Sequence, residues 1–161
     1  PYDVGYGRVM RFDHDFIGRE ALEKIAVSGG ADARRKVTLK WNGEDMAKVW
    51  ASMYQDDVGA KFVNLPIAHY ATYHYDRVES PDGALVGRSL HTGYSANFRS
   101  MLSVSVVDAA FAEPGTEVVV VWGEPTPSSK VQVENHRQFK VRATVHPAPI
   151  DQHARDSYRK N

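Results

Sequence analysis

Cysteine is missing from this sequence altogether. Disulfide staples, thiol nucleophiles and thiolate metal sites are excluded in one step. The composition fits a reducing compartment, and the expected location is cytoplasmic. An excess of charge of either sign is missing too: Lys and Arg number 20, and so do Asp and Glu. A dedicated nucleic-acid binder carries a basic surplus. The short basic spots, Arg34–Lys36 and Arg155, Arg159 and Lys160 near the end, read as a solvated turn and a chain end. No apolar run approaches the roughly 20 residues of a membrane-spanning helix. The longest candidates, such as Val118–Trp122, are strand-sized. Neither nucleic acid nor membrane is therefore expected as a partner. None of Asn42, Asn64, Asn97 and Asn135 opens an Asn-x-Ser/Thr sequon. Residues 1–20 are interrupted by Arg8, Arg11, Asp13 and Asp15, unlike a signal peptide.

What is present describes one folded unit. The chain has 161 residues, 42% hydrophobic and 25% charged. A chain of that length buries about two-thirds of its extended surface, so a core needs no staples. A net charge of zero gives little colloidal repulsion and mildly favours association. The opening is unusual. Tyr2–Phe12 alternates imperfectly with period two and reads as a strand already inside a domain, so the chain reads as a fragment of something longer.

Periodicity then predicts the elements. Ala21, Leu22 and Ile25 lie at helical spacing over 18–28, with Phe16 and Ile17 packing at the entry and Gly29-Gly30 ending the helix. Lys36–Trp41 alternates as a strand with Val37, Leu39 and Trp41 on one face. Asn42-Gly43-Glu44-Asp45 has the short polar acceptor and acids of a helix start, and Met46, Val49, Trp50 and Met53 carry that helix over 43–55. After Pro66 the reading is all β: an extended run 67–78, a turn at Ser80-Pro81-Asp82-Gly83, a return over 84–90, then strands at 101–107, 118–122 and 138–145. Glu113-Pro114-Gly115 is a further turn, and Pro147 and Pro149 stop the last strand. No βαβ alternation appears, which argues against a doubly wound sheet. The expected fold is mainly β with two short helices (α+β), an antiparallel barrel or jelly-roll-like domain over 1–150, followed by a polar tail over 151–161.

The residues carry no self-sufficient reaction centre. His69 and His74, five apart in an extended run, point to opposite faces, so the cluster His69, Tyr70, Tyr73, His74 and Tyr75 reads as an aromatic strand and not as a metal site. His14, His91, His136, His146 and His153 stand singly. Ser95, in Gly93-Tyr94-Ser95-Ala96-Asn97, lacks the second glycine of a nucleophile elbow. Gly5-x-Gly7 feeds a strand and not a helix N-terminus, so it is no phosphate cradle. Asp56-Asp57 and Glu44-Asp45 read as loop and cap positions. No catalytic residue and no metal ligand is assigned.

Three ordered stretches resemble the C-terminal part of the glycine-cleavage T-protein (aminomethyltransferase) superfamily. They are Asp15-Phe16-Ile17-Gly18-Arg19-Glu20-Ala21-Leu22, the strand and turn from Leu85-Val86-Gly87-Arg88 through Thr92-Gly93-Tyr94-Ser95, and Glu113-Pro114-Gly115-Thr116-Glu117-Val118. Trp41-Asn42-Gly43-Glu44-Asp45, Ala71–Asp76 and Val121-Trp122-Gly123-Glu124 look like the tetrahydrofolate-dependent aryl O-demethylases of that superfamily, which act on vanillate- or syringate-type aromatics. The resemblance implies transfer of a methoxyl methyl group to tetrahydrofolate, a small aromatic substrate, and upstream folate-binding domains in the same polypeptide that hold the catalytic groups. Alternatives within the superfamily are an aminomethyltransferase working with a lipoyl carrier or another folate-dependent demethylase. Outside them stands a β-module without chemistry of its own. The resemblance places Tyr158 near a position used against folate, although the residues around it do not match the glycine-cleavage tail. Arg88 and His91 flank the motif turn and are candidates to face the cofactor.

Overall fold

A computed structural model of the chain describes residues 1–30, 33–68 and 75–157. Six strands, β1 (Arg34–Trp41), β2 (Asp76–Glu79), β3 (Leu85–Ser95), β4 (Ser100–Asp108), β5 (Glu117–Trp122) and β6 (Phe139–Pro147), close into a barrel in the order β1-β4-β3-β2-β5-β6. Every pairing is antiparallel, and β1 closes the ring by pairing β4 on one side and β6 on the other. Closure leaves no exposed sheet edge. The expected architecture is met, in its barrel form.

The interior follows from side-chain alternation. Val37, Leu39 and Trp41 of β1, Val118, Val120 and Trp122 of β5, and Val141, Ala143 and Val145 of β6 are all buried. Trp41 and Trp122 meet edge to face with ring centroids 5.9 Å apart, a preferred aromatic geometry. The opposite wall is different. Ser89, Thr92, Ser103 and Ser105 point inward and are at most 1% exposed. Their hydroxyls satisfy each other and the indole: Ser89 Oγ lies 3.2 Å from Thr92 Oγ1, Ser103 Oγ 3.1 Å from Ser105 Oγ, and Trp41 Nε1 donates to Ser103 Oγ at 3.0 Å. A bulge between Ser89 and His91 lets two residues three apart face the same way. At Gly87 an added Cβ would stand 2.4 Å from the Val106 carbonyl oxygen, so only glycine permits this approach of β3 to β4.

Helix α2 (Gly43–Ser52) starts where the sequence places it. The Asn42 side chain accepts from the Asp45 N–H at 3.0 Å, satisfying one of the orphan donors of the first turn, and Met46 and Val49 are buried in the core cluster with the barrel's inward side chains. Helix α1 (Arg19–Val27) lies within the expected range but buries no residue, and Ile17 at its entry is fully exposed instead of packed. Phe16 stacks on Phe12 at 6.2 Å instead.

Two expectations are corrected. Tyr2–Phe12 forms no strand: it runs through turns and a short 3-10 turn at Gly7–Val9, with Gly5 at φ +82. Its alternation is spent on glycines, which give a sheet nothing to pack. Within the polar tail lies a third short helix, α3 (Gln152–Asp156), capped by Asp151 accepting from the Ala154 N–H at 2.7 Å. Of the extended run 67–78, residues 69–74 lie outside the described residues; β2 begins at Asp76, and Ile67 bridges Gly93. Among the described residues no helix is long and apolar enough to cross a membrane.

Candidate functional site

The polar groups that the fold gathers lie at the barrel end beside β5. Lys61, Asp76, Glu124 and His136 come from four separate stretches, and none is more than 4% exposed. Lys61 Nζ lies 2.7 Å from Glu124 Oε2 and 5.7 Å from the centroid of the Trp122 ring. Trp122 Nε1 donates to the Lys61 carbonyl at 2.9 Å. Gly123 sits at φ +98, and a Cβ there would meet His136 Nε2 at 2.7 Å, so the turn after β5 requires glycine on both counts. That turn aims the Gly123 N–H at Asp76 Oδ1, 3.1 Å away, while Gln138 Nε2 donates to the Gly123 carbonyl at 2.9 Å.

Burial pushes the Asp76 carboxyl up to about 7, against the pull of the Gly123 N–H and the Lys61 charge; the nearby Glu124 adds to the rise. Lys61 and Glu124 form an ion pair within the cluster, beside the Asp76 carboxyl. His136 is bracketed by two carbonyls, Glu134 O at 2.9 Å from Nδ1 and Glu124 O at 3.0 Å from Nε2. None of these side chains reaches solvent, so the cluster holds the loops around β5 together and touches no diffusing molecule in this arrangement.

A second carboxylate site lies beside α2. Asp45 accepts from the Arg142 backbone N–H at 3.1 Å, from Arg142 Nε at 2.8 Å and Nη2 at 3.1 Å, and from Lys48 Nζ at 3.2 Å. The Arg142 side chain holds this carboxyl far below the usual carboxylate range, against the opposing effect of its burial. The arrangement ties α2 to β6 and is structural.

Of the residues singled out from the sequence as cofactor contacts, Arg88 and His91 are among the described residues. Arg88 and His91 are both exposed on the outer face of β3, but they line different grooves, Arg88 with Leu85 and Val106, His91 with Tyr94 and Val104. The barrel interior, filled by the two tryptophans and the hydroxyl wall, is closed to them. Tyr158, and His69, Tyr70, Tyr73 and His74, lie outside the described residues; Tyr75 is exposed. Among the described residues no group of three or more His, Asp or Glu side chains could hold a metal ion. Sequence reasoning missed Lys61, Asp76, Glu124 and His136 as a group. The available signal was Glu124, an acid two residues behind a nearly continuous apolar strand with only glycine between.

No family model matches the chain. Among curated proteins it is similar to a syringate O-demethylase of Sphingobium sp., 45% identical over 159 residues, which cover 98% of this chain and 34% of the relative. It is 38% identical over 145 residues to a sesamin methylene transferase of Sinomonas sp., covering 83% of this chain and 31% of the relative. Among solved structures, aminomethyltransferase T of the glycine cleavage system from Bartonella henselae matches 85% of this chain and 27% of its own, with a TM-score of 0.50 at 17% identity, a likeness of fold. The chain thus spans about a third of the length of the curated relatives it matches.

Proposed function

We propose that this chain, a member of the glycine-cleavage T-protein (aminomethyltransferase) superfamily by its similarity to syringate O-demethylase and its relatives, is the C-terminal β-domain of a tetrahydrofolate-dependent methyltransferase, an aryl O-demethylase acting on methoxylated aromatics. The observation that carries this reading is the 45% identity to syringate O-demethylase, sustained over nearly the whole chain and not confined to a motif. Bound to the complete protein, tetrahydrofolate would supply the amine that accepts the methyl group.

The described residues do not cradle a folate. The barrel interior is filled, and the outer grooves are open and walled on one side by strand alone. No step of the transfer is therefore assigned to this chain's side chains. Their part is to present a rigid, closed barrel to the folate-binding polypeptide, with Arg88, His91 and Tyr158 as its candidate contacts with the cofactor. A second reading rests on the similarity to sesamin methylene transferase: the transferred group is a methylene carbon.

One experiment separates the readings. The complete polypeptide is incubated anaerobically with tetrahydrofolate and, in separate reactions, syringate, vanillate or a methylenedioxy aromatic, and products are followed by chromatography with mass detection. Methyltetrahydrofolate and the free phenol are expected, while the 161-residue chain alone shows neither turnover nor calorimetric folate binding. Methylenetetrahydrofolate from a methylenedioxy aromatic selects the second reading, a requirement for a lipoylated carrier protein selects an aminomethyltransferase, and no turnover of any methoxylated aromatic defeats the O-demethylase assignment.

A further inference from the structure

Strand β4 carries apolar residues on both faces. Its inward positions Met101, Ser103, Ser105 and Val107 are all buried, while its outward positions are Leu102, Val104 and Val106. A strand with one wet face normally places hydroxyls outside and aliphatics inside. The outward stripe spans about 13 Å at the usual rise per residue, and a groove lies along each half of it. One, of about 420 Å³, has Tyr94, Pro149 and Ile150 as its other apolar walls. The second, of about 430 Å³, has Leu85, Leu90 and Val4. Val104, Tyr94 and Leu85 are 42%, 43% and 49% exposed, and Ile67, bridged to the neighbouring Gly93, is 49% exposed. The stripe is an apolar band flanked across the ladder by Lys36, Thr38 and Lys40 of β1 and by Arg88 and His91 of β3, and a partly exposed band of this kind marks an interaction surface on a soluble protein.

Charge and size say what covers it. Its flanks are basic: Lys36, Lys40 and Arg88 stand beside the stripe with His91, while Arg34 lies 3.6 Å from Asp108 and Asp3 lines the second groove. A two-fold contact with a second copy sets a patch against itself, which would bring these cations onto their own copies. A single aromatic ring would cover only part of a 13 Å stripe. The curated relatives are about three times as long as this chain, so each carries further polypeptide large enough to cover the band.

We propose that the outer β3–β4 face is the seat on which the remaining polypeptide of the complete protein packs, through an apolar surface rimmed with carboxylates. The proposal rests on the reading of this chain as one domain of a longer protein, and it places Arg88 and His91 at the edge of that contact. The absence of cysteine supplies a clean test, since any thiol introduced in this domain is its only one. Val104→Cys on the band and Asp56→Cys on the loop after α2 are made in the complete polypeptide and in the 161-residue chain, and alkylation by N-ethylmaleimide is timed by peptide mass mapping. For Val104→Cys we expect alkylation at least tenfold slower in the complete polypeptide than in the chain alone, with Asp56→Cys unchanged. Equal rates for Val104→Cys overturn the proposal, and so does protection in the chain alone that deepens with its concentration, which would mark a second copy as the occupant. Leu102→Cys reads the same face if Val104→Cys fails to fold. The readout is independent of methyl transfer: protection in a polypeptide that demethylates nothing retires the functional reading and keeps the interface, and turnover without protection does the reverse.

Discussion

Asp45 and Asp76 are both aspartates with little exposure, 9% and 1%, and the protein treats them in opposite ways. Asp45 meets one guanidinium edge-on, a backbone N–H and an ammonium, and its carboxyl is held ionised. Asp76 lies where burial dominates, and its carboxyl is pushed up to about 7 although the Gly123 N–H and Lys61 oppose the rise. The difference teaches that depth alone does not set the charge of a buried acid. What decides is whether donors and a cation address it directly, as Arg142 addresses Asp45, or whether the nearby cation is already engaged, as Lys61 is with Glu124 at 2.7 Å. One carboxylate fastens a helix to the barrel. The other is a proton carrier under the loop that follows β5.

The largest effect expected on this contrast comes from removing the wall that keeps Asp76 dry. Trp122→Ala deletes a fully buried indole, its hydrogen bond to Lys61 O and its contact with Trp41. It should cost about 3–5 kcal/mol in denaturant unfolding and admit water, bringing the Asp76 carboxyl down toward an ordinary aspartate in a carboxyl NMR titration. An unchanged stability would mean that β5 does not form this wall. A smaller effect follows from making the same substitution at both sites. Asp45→Asn deprives Arg142 and Lys48 of an ionised acceptor and should cost about 2 kcal/mol at pH 7, moderated because the Arg142 side chain is 45% exposed and can rehydrate. Asp76→Asn, close in shape to the protonated acid, should cost less than about 1 kcal/mol at pH 5. Equal costs for the two substitutions would erase the distinction.

The sequence made one of these regions more legible than the other. Asn42 and the acids behind it announce the start of α2, and the alternation in 36–41 and 138–145 and the nearly continuous apolar run 118–122 place three barrel strands within one or two residues of their true bounds. Local periodicity suffices there because each element's buried face is written in consecutive residues. The pairing of Asp45 with Arg142, 97 positions on, is not local and left no trace beyond two ordinary charges. The same holds for Lys61, Asp76, Glu124 and His136, which only barrel closure assembles. Tyr2–Phe12 misled because alternation was counted without asking what glycine contributes to a sheet. The course of β3 past Leu90 to Ser95 was hidden by the bulge at Ser89–His91, which breaks the period of two. Of the residues expected at the site, Arg88 and His91 are exposed along the same flank of the outer apolar stripe, across from Val106 and Val104, yet they line different grooves.

The two carboxyls also separate on the pH axis. Asp76 binds its proton more tightly folded than unfolded, since its ordinary value is 3.8 and its folded value about 7. Between those values the native state holds one proton that the unfolded state has lost, so this group's contribution is full below about pH 4, declines as pH rises, and is gone above about 7. Asp45 is the reverse: its folded value is lowered, so its contribution is present above 3.8 and is lost as pH falls below it. The windows do not overlap. From pH 4 to 7 the unfolding free energy should therefore fall with a slope of at most about 1.4 kcal/mol per pH unit from Asp76, and below pH 4 it should fall in the other direction as Asp45 is protonated. Asp76→Asn should flatten the first slope and leave the acid limb standing; Asp45→Asn should do the opposite. Urea unfolding at half-unit steps from pH 2 to 8 reads both limbs, and a neutral-side slope that survives Asp76→Asn would assign that proton to another group.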